Sequence, residues 1–276
     1  RGTPPGRASG VIALVLAVLA SGLVGGFVAG LLGVGGGIVI VPVLELALSL
    51  AGIDPRITMN LAVATSMATI IPTAISSSRS HARRGSVDGA IVKAWAIPIV
   101  AGALVGSQLV AQFEARVLAA VFGLAALAVA AKMLLPLDEF VVARDVPRRW
   151  KGAWLPAGIG CLASMMGVGG GTLGVPVMTL CSVPIHRAVG TAALLGLWIA
   201  VPATLGFLFA QPAVETPWLT VGYTNLLGFA LIAPVSVLMA PLGAKVAHSL
   251  SRRHLSIAFG CFLLVVAARM LYRAFL

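Results

Sequence analysis

Residues 33–42 read Gly-Val-Gly-Gly-Gly-Ile-Val-Ile-Val-Pro, and residues 167–176 read Gly-Val-Gly-Gly-Gly-Thr-Leu-Gly-Val-Pro. Each glycine run lies inside an apolar segment rather than in a polar loop. Consecutive glycines favour a break in regular structure, because glycine adopts backbone conformations that other residues avoid. The two runs therefore predict that the chain has two halves, each with a break at the corresponding place.

The composition predicts that much of the chain lies in lipid. Of 276 residues, 59% are hydrophobic and 10% are charged, whereas about 25% of the residues in an ordinary soluble domain are charged. A single soluble core cannot bury that much apolar surface. Residues 91–105 and 117–131 do not alternate between polar and apolar side chains, which argues against a transmembrane β-barrel. We therefore predict an all-α polytopic membrane protein.

Apolar segments and one charged connector suggest the organisation of the chain. We predict a first transmembrane repeat over residues 1–135, a charged connector over 136–151 and a second repeat over 152–276. The apolar segments fall near residues 11–32, 38–50, 60–78, 91–111, 116–135, 152–166, 172–182, 190–210, 221–244 and 255–275. The run over 11–20 could imitate a signal peptide, but it continues into the first glycine motif, so we expect a membrane segment.

The segments that follow the glycine runs are too short to cross a bilayer. Residues 38–50 and 172–182 span about 16 to 20 Å as helix, against a hydrocarbon core of roughly 30 Å. We expect half-helices or re-entrant segments that begin at the glycines near mid-membrane. A broken backbone at that depth needs cover from protein or from a water-filled cavity. The sequence therefore predicts that both glycine runs lie in the protein interior.

Basic residues suggest how the two halves are oriented. The formal net charge is +11, and basic residues concentrate in cytoplasmic loops whatever the cargo. In the first half the basic loop follows the third segment, whereas in the second half it follows the fourth, where Lys245, Arg252 and Arg253 lie. If both loops are cytoplasmic, the halves form an inverted repeat. Repeats interrupted by glycine and proline at matching positions are typical of secondary transporters.

The glycine runs are the predicted substrate site. A helix that begins near Ile38 or Thr172 has unpaired N–H groups and a partial positive charge at its start. Two such helix starts could together bind an anion without a buried cation. The alternative is that the glycines only allow close helix packing. The predicted binding glycines are Gly33, Gly35, Gly36, Gly37, Gly167, Gly169, Gly170 and Gly171.

Several polar residues could complete this site. Thr65, Ser66 and Thr191 could donate hydroxyl groups to an anion, or they could bond to helix carbonyls. Asn60 could contact the substrate or cap its helix, and Arg187, which we place just before the matching helix, could clamp an oxyanion or only set topology. Glu45 is a candidate for proton coupling, because a carboxylate at membrane depth tends to hold a proton; alternatively, it reaches water.

The paired G-x-G-G-G…V-P motifs are each followed by A-V-x-T, at residues 62–65 and 188–191. In this the chain resembles the TauE/SafE family of sulfite exporters, also called the sulfite and organosulfonate transporter family, over nearly its whole length. The resemblance implies a membrane carrier, often an exporter, for small sulfur-containing or carboxylate anions. The second copy departs at Ala192, where the first has Ser66, so the two halves could contribute unequally.

Other classes of protein fit the sequence less well. Cys161, Cys181 and Cys261 form no metal-binding pattern, and no catalytic or nucleotide-binding motif stands in a suitable context. We therefore expect a transporter rather than an enzyme, with no cofactor, metal or nucleic-acid partner. The expected partners are a small anion, the lipid bilayer and a coupling proton or sodium ion, in the inner membrane of a bacterium. An intramembrane enzyme and a channel-like accessory subunit stay as alternatives, and the oligomeric state stays open.

Overall fold

A computed structural model describes residues 5–135, 145–147, 152–212, 214–247, 249 and 251–275. Within these residues the chain forms ten helices and one two-stranded hairpin. The predicted all-α fold is therefore confirmed, and each predicted apolar segment corresponds to a helix. Most of the predicted connector, residues 136–151, lies outside the described residues. The elements are α1 Pro5–Leu32, α2 Gly37–Leu50, α3 Thr58–Ala82, α4 Gly89–Gln112, α5 Ala115–Leu134, α6 Trp154–Met166, α7 Gly171–Leu180, α8 Ile185–Phe209, β1 Thr220–Val221, β2 Thr224–Asn225, α9 Leu226–Ala247 and α10 Arg252–Phe275.

Five of the described helices are long and apolar enough to cross a membrane. The apolar stretches fall in α1, α3, α4, α8 and α9, and they cover Val15–Leu32, Thr58–Ala82, Gly89–Val110, Ile185–Phe209 and Leu226–Ala247. The central helix α3 has 83% of its span buried inside the protein, whereas α9 has 33%. Helix α3 therefore lies at the centre of the bundle, whereas most of the α9 span lies towards its surface.

The two short helices begin at the glycine runs, as the sequence predicted. Helix α2 has 14 residues and helix α7 has 10, which correspond to about 21 and 15 Å of helix. Helix α2 folds back along α1: a Cβ on Gly25 of α1 would lie 2.9 Å from the Ile40 side chain of α2. Both glycine runs are buried. Helix α2 thus carries the chain back towards the side where α1 began, and α3 starts from that side.

Two predicted boundaries were wrong. Helix α8 begins at Ile185, directly after the N-cap Pro184, rather than near residue 190. Proline is favourable at the start of a helix, because it has no N–H that needs a partner there, and Pro184 therefore allows α8 to begin at the next residue. Residues 220–225 form a hairpin rather than the start of a helix, because the backbone N–H of Tyr223 bonds to the Phe207 carbonyl at 3.1 Å and binds the hairpin to α8.

Hydrogen bonds between the halves define the direction of α3 and α9. The Thr65 hydroxyl accepts from the Asn225 backbone N–H at 2.9 Å, near the start of both helices. Farther along, the Ser76 hydroxyl donates to the Val237 carbonyl at 3.0 Å. Because both sequence numbers increase between these two contacts, α3 and α9 run parallel.

A matching pair of contacts joins α8 to α4. The Thr191 hydroxyl accepts from the Asp88 backbone N–H at 2.9 Å, at the start of both helices. Near their other ends, Gly206 packs against Ser107. Helices α4 and α8 therefore also run parallel to each other. Since α8 begins beside the loop that ends α3 and finishes beside the hairpin that precedes α9, α3 and α8 run antiparallel.

The parallel arrangement brings the basic ends of α3 and α9 to one end of the bundle. Arg79 and His81 lie in the last turn of α3, and Lys245 lies in the last turn of α9. Lys93 is exposed in the first turns of α4, which starts at the same end. We refer to this end, where α3 and α9 finish, as the basic end.

Candidate functional site

The two glycine runs are in direct contact in the protein interior. The backbone N–H of Gly169 donates to the Val34 carbonyl at 3.0 Å. A Cβ on Gly35 would lie 3.1 Å from the Gly169 Cα and 3.0 Å from the Ile70 side chain. The runs therefore cross each other beside the middle of α3, with no side chain between them.

The contact between the runs is reciprocal. A Cβ on Gly37 would collide with the Gly167 carbonyl, and a Cβ on Gly171 would collide with the Gly33 carbonyl. Four glycines also adopt left-handed backbone conformations, with φ of 67° at Gly33, 75° at Gly35, 79° at Gly36 and 68° at Gly167. Close packing alone thus requires glycine at these positions, whatever else the site does.

Gly36 and Gly170 lie on the outer sides of this crossing and serve as the N-caps of the short helices. A Cβ on Gly36 would lie 2.5 Å from the Gly25 carbonyl oxygen, whereas one on Gly170 would lie 3.0 Å from atoms of α8. Neither N-cap offers a side chain to the first N–H groups of its helix. The starts of α2 and α7 therefore keep the partial positive charge of an uncapped helix N-terminus.

One polar side chain at these helix starts was not predicted as a ligand. Thr172 is the second residue of α7, its side chain is buried, and its hydroxyl oxygen has no hydrogen-bond partner among the described residues. A buried hydroxyl without a partner costs free energy, so its presence at this point needs a reason. The sequence did contain a signal, because Thr172 stands where the first half has Ile38.

Ser66 is the one predicted hydroxyl residue that joins the glycine crossing directly. Its hydroxyl donates to the Gly167 carbonyl at 2.7 Å, and a Cβ on Gly37 would lie 2.9 Å from the same hydroxyl oxygen. Thr65 and Thr191 instead bond to the backbone before α9 and α4, as described above. Through these bonds they hold the halves together, in stretches of α3 and α8 that also contact the glycines: Val63 lies against Gly167, and Val189 lies against Gly33.

Asn60 and Arg187 are not brought to the glycine runs by any described contact. The N-cap of α3 is Ile57, so the prediction that Asn60 caps its helix was wrong; the Asn60 amide instead reaches across and donates to the Val110 carbonyl at 2.9 Å. Arg187 is exposed and lies within the first turn of α8, not before it. As substrate ligands, both residues stay predictions.

Glu45 does not reach water, because it is 1% exposed. It accepts a hydrogen bond from the Ser49 hydroxyl at 2.9 Å. The Arg269 guanidinium lies 3.5 Å from the other carboxylate oxygen and is itself 39% exposed. Sequence reasoning missed this partner, although an arginine within the apolar run of α10 was a visible signal. The ion pair connects the short helix α2 to α10.

The described residues contain no group of three or more His, Cys, Asp or Glu side chains that could hold a metal ion. The hydroxyl of Ser66 donates to a peptide carbonyl, which is not a base. The residues at the glycine crossing thus offer hydrogen-bond donors and helix N-termini rather than an activated nucleophile.

The described residues form ten helices, of which five are long and apolar enough to cross a bilayer and two begin at buried glycines. These features define a multi-pass helical membrane protein. The sequence model of the family described as sulfite exporter TauE/SafE matches residues 18–270, and the chain belongs to this family. No solved structure matches the chain.

Three curated relatives extend over nearly the whole chain, and all are described as probable membrane transporter proteins. One from Haemophilus influenzae is 29% identical and covers 93% of this chain and 97% of its own length. One from Methanocaldococcus jannaschii is 25% identical, covering 91% and 92% respectively. YunE from Bacillus subtilis is 23% identical, covering 94% and 97%. These comparisons identify a membrane transporter.

Proposed function

We propose that the protein is a secondary transporter of a small oxyanion, with sulfite or an organosulfonate as its cargo. The description of the family as sulfite exporters supports this substrate class, and the uncapped helix starts at the glycine crossing support this crossing as the binding place. The predicted glycines, together with Thr172, would bind the anion between the starts of α2 and α7, while Ser66 fixes the Gly167 carbonyl beside them. On this proposal the protein is not an enzyme and lies in the inner membrane of a bacterium.

The observation that carries the proposal is the uncapped start of two buried helices at one crossing. Helix N-termini bind anions through their free N–H groups and their dipole. Each contributes roughly half an elementary positive charge, so an anion could be bound without burying a cation, which is expensive in a membrane. The unpartnered hydroxyl of Thr172 is a further donor to such an anion.

We further propose that residues 1–135 and 152–276 form an inverted repeat. Three facts support it: α3 and α8 run antiparallel, Thr65 and Thr191 make matching bonds to the other half, and the collisions at Gly37 and Gly171 are reciprocal. In such transporters one repeat moves against the other around a central site and so alternates access. The glycine crossing is the natural centre of that motion.

Glu45 is the proposed proton-coupling residue. It is buried in α2, and this helix starts at the binding site, so protonation would alter its attraction to Arg269 on α10. In reconstituted vesicles, Glu45→Gln is expected to keep anion exchange but to lose the response of net transport to a pH gradient. If net transport by this variant still follows the pH gradient, or if wild-type transport follows a sodium gradient instead, this role is wrong.

The decisive experiment is counterflow of radiolabelled sulfite into proteoliposomes that contain Thr172→Val. Valine has the shape of threonine without the hydroxyl, so a threonine that only packs can be replaced at little cost in stability. A hydrogen bond to a charged ligand is worth about 1.5–3 kcal/mol, so we expect the apparent affinity to fall at least about tenfold.

Thr204→Val is the matched control, since Thr204 is also buried on a helix and its hydroxyl also has no described partner. It lies in α8, about two turns beyond Gly196, the last residue of α8 that Gly170 contacts. Equal effects of the two variants, or no effect of either, would contradict the site. No counterflow with sulfite, ethanesulfonate or small carboxylates would contradict the substrate class.

A further inference from the structure

A cavity opens between α3 and α9 near the basic end, away from the glycine crossing. Its volume is about 420 Å³. It is lined by Pro72, Ile75, Ser76, Arg79, Ser80, Arg83, Val237 and Pro241. We propose that this basic cavity binds an oxyanion that carries a short apolar body, and that it is the loading site for the transported anion at one membrane face. The loading role rests on the proposed function.

The charged part of the lining suits an oxyanion. Arg79 and Arg83 are one helical turn apart, and neither forms an ion pair with another residue in the described part of the chain. A guanidinium offers five N–H donors in a planar fork that matches sulfonate, phosphate or carboxylate oxygens. Two guanidinium groups one turn apart can therefore contact the same anion.

The two serines differ in what they offer. The Ser80 hydroxyl accepts from the Arg84 guanidinium at 2.7 Å, which leaves the hydroxyl hydrogen of Ser80 free to donate. The Ser76 hydroxyl donates to the Val237 carbonyl at 3.0 Å and so fixes the wall between α3 and α9. Ser80 is therefore a third donor, whereas Ser76 holds the cavity in shape.

The lining includes no acidic side chain to compete for the arginines. The acid nearest in sequence is Asp88, and its carboxylate is occupied as the N-cap of α4, where it accepts from the backbone N–H groups of Ala90 and Ile91. The potential of the basic cavity is therefore positive, and such a cleft concentrates anions and raises their rate of association.

The other half of the lining is apolar, which indicates that the ligand also has an apolar part. Pro72, Ile75, Val237 and Pro241 form a surface beside the two arginines. Ligand pockets range from about 300 to 1,000 Å³, and a bare oxyanion leaves most of this cavity unfilled. The ligand that fits is an anion with a short alkyl part, either a free organic sulfonate or the headgroup region of an anionic phospholipid.

The second half of the chain carries no equivalent of these polar groups. If Pro72 is matched to Pro202, then Gly206 stands for Ser76 and Phe209 for Arg79. The rule that basic residues collect on the cytoplasmic side accounts for arginines at this end in general. It does not require two of them to line a cavity beside hydroxyl groups. The one-sided placement fits loading from the cytoplasm.

The test measures the melting temperature of the full-length protein in nanodiscs, with butanesulfonate as the probe. A ligand that binds only the folded protein raises the melting temperature. In phosphatidylcholine nanodiscs, butanesulfonate is expected to stabilise the wild type. The concentration needed should rise about tenfold for Arg79→Gln and about a hundredfold for the double variant Arg79→Gln/Arg83→Gln, since each removes charged hydrogen bonds.

A second arm identifies the source of the anion. Nanodiscs that contain phosphatidylglycerol test whether the ligand is a lipid headgroup. If only this lipid stabilises the protein, and the double variant loses that effect, the ligand is lipid rather than a free anion. That outcome would overturn the loading role. Lys93→Gln is the control, because it removes one positive charge at the same end outside the cavity. If Lys93→Gln weakens the response as much as Arg79→Gln, or if neither arginine variant changes it, the cavity is not the site.

Thr172→Val separates this inference from the proposed function. If the arginine variants weaken the response while Thr172→Val transports sulfite like the wild type, the basic cavity stands and the glycine site fails. If Thr172→Val abolishes transport and the arginine variants bind butanesulfonate normally, the proposed function stands and the basic cavity fails.

Discussion

At the scale of single residues, space around the backbone decides what a glycine substitution does. In Gly171→Ala the new Cβ meets the backbone of Gly33 and Val34, with the Val34 Cα at 2.6 Å. Overpacking of this kind costs about 1–3 kcal/mol or more, so we expect a large loss of folded protein. Gly158→Ala, in α6, meets nothing within 4 Å and should gain about 0.5–1 kcal/mol. Thermal unfolding monitored by size-exclusion chromatography measures both, and similar melting temperatures would contradict the crossing.

Ser66 tests whether the crossing is held together by a side chain as well as by packing. In Ser66→Ala the buried Gly167 carbonyl loses its hydroxyl donor, which should cost about 1–3 kcal/mol. Ser164→Ala is the control, because the buried Ser164 hydroxyl bonds only to a carbonyl three residues earlier in its own helix. Denaturation in detergent should show the larger loss for Ser66→Ala. The reverse order would mean that this bond contributes little.

Asp54 in the loop between α2 and α3 gives a prediction about pH. Hydrogen bonds from the Arg56 side chain, then from its backbone, lower the Asp54 pKa from 3.8 to about 2. A carboxylate with a lowered pKa stabilises the folded state above its unfolded pKa and loses that contribution as the pH falls through its folded pKa. The melting-temperature difference between wild type and Asp54→Asn should therefore be constant near neutral pH and shrink from about pH 4 to about pH 2. A difference that grows on acidification would contradict the ion pair.

The sequence predicted the glycines of the site but not its side-chain partners. A glycine run inside an apolar segment can be recognised from the sequence alone, because consecutive glycines interrupt a regular helix wherever they occur. The unpartnered Thr172 hydroxyl and the approach of Arg269 to Glu45 depend on which helices become neighbours. The capping role of Asn60 was wrong for the same reason: the helix could start earlier at Thr58, and a carbonyl on α4 was available to the amide.

At the scale of elements, the Glu45–Arg269 pair predicts an energetic coupling between α2 and α10. Arg269→Gln removes a cation from beside the buried Glu45 carboxylate, which is more costly than removing both charges. We expect Glu45→Gln/Arg269→Gln to be more stable than the sum of the single losses implies, with a coupling energy of about 0.5–3 kcal/mol. A double-mutant cycle of unfolding free energies measures this. Additive losses would show that the two charges do not interact.

Helix lengths and hairpins differ in how far the sequence determines them. The half-helices α2 and α7 were predictable, because a glycine run and a short apolar segment fix both ends. The hairpin over 220–225 was not, because its backbone N–H groups donate to the Phe207 carbonyl on α8 and to the Thr65 hydroxyl on α3. Strands this short have little stability of their own. Tertiary contacts, rather than local propensity, therefore set the start of α9.

At the scale of the whole molecule, the helix directions predict which loops share a membrane face. Gly85 and Ser249 should lie on one side, while Gly52 and Glu215 should lie on the other. Single cysteines at Gly85, Ser249, Gly52 and Glu215, in a variant without the three native cysteines, can be labelled with a membrane-impermeant maleimide in intact cells. Only Gly52→Cys and Glu215→Cys should react if the basic end is cytoplasmic. Labelling of Gly85→Cys without Ser249→Cys would contradict the parallel arrangement of α3 and α9.

The reciprocal packing of the two glycine runs also limits how this chain can change by mutation. Each run forms the steric boundary of the other, so enlarging one residue in either run displaces backbone that belongs to the opposite half. A compensating substitution would have to remove atoms from a partner that is already glycine, and no smaller residue exists. Elsewhere the halves differ freely, as Glu45 against Thr179 and Ser66 against Ala192 show. Divergence between the halves, and with it a change of cargo or coupling ion, must therefore proceed through the side chains around the crossing and not through the crossing itself.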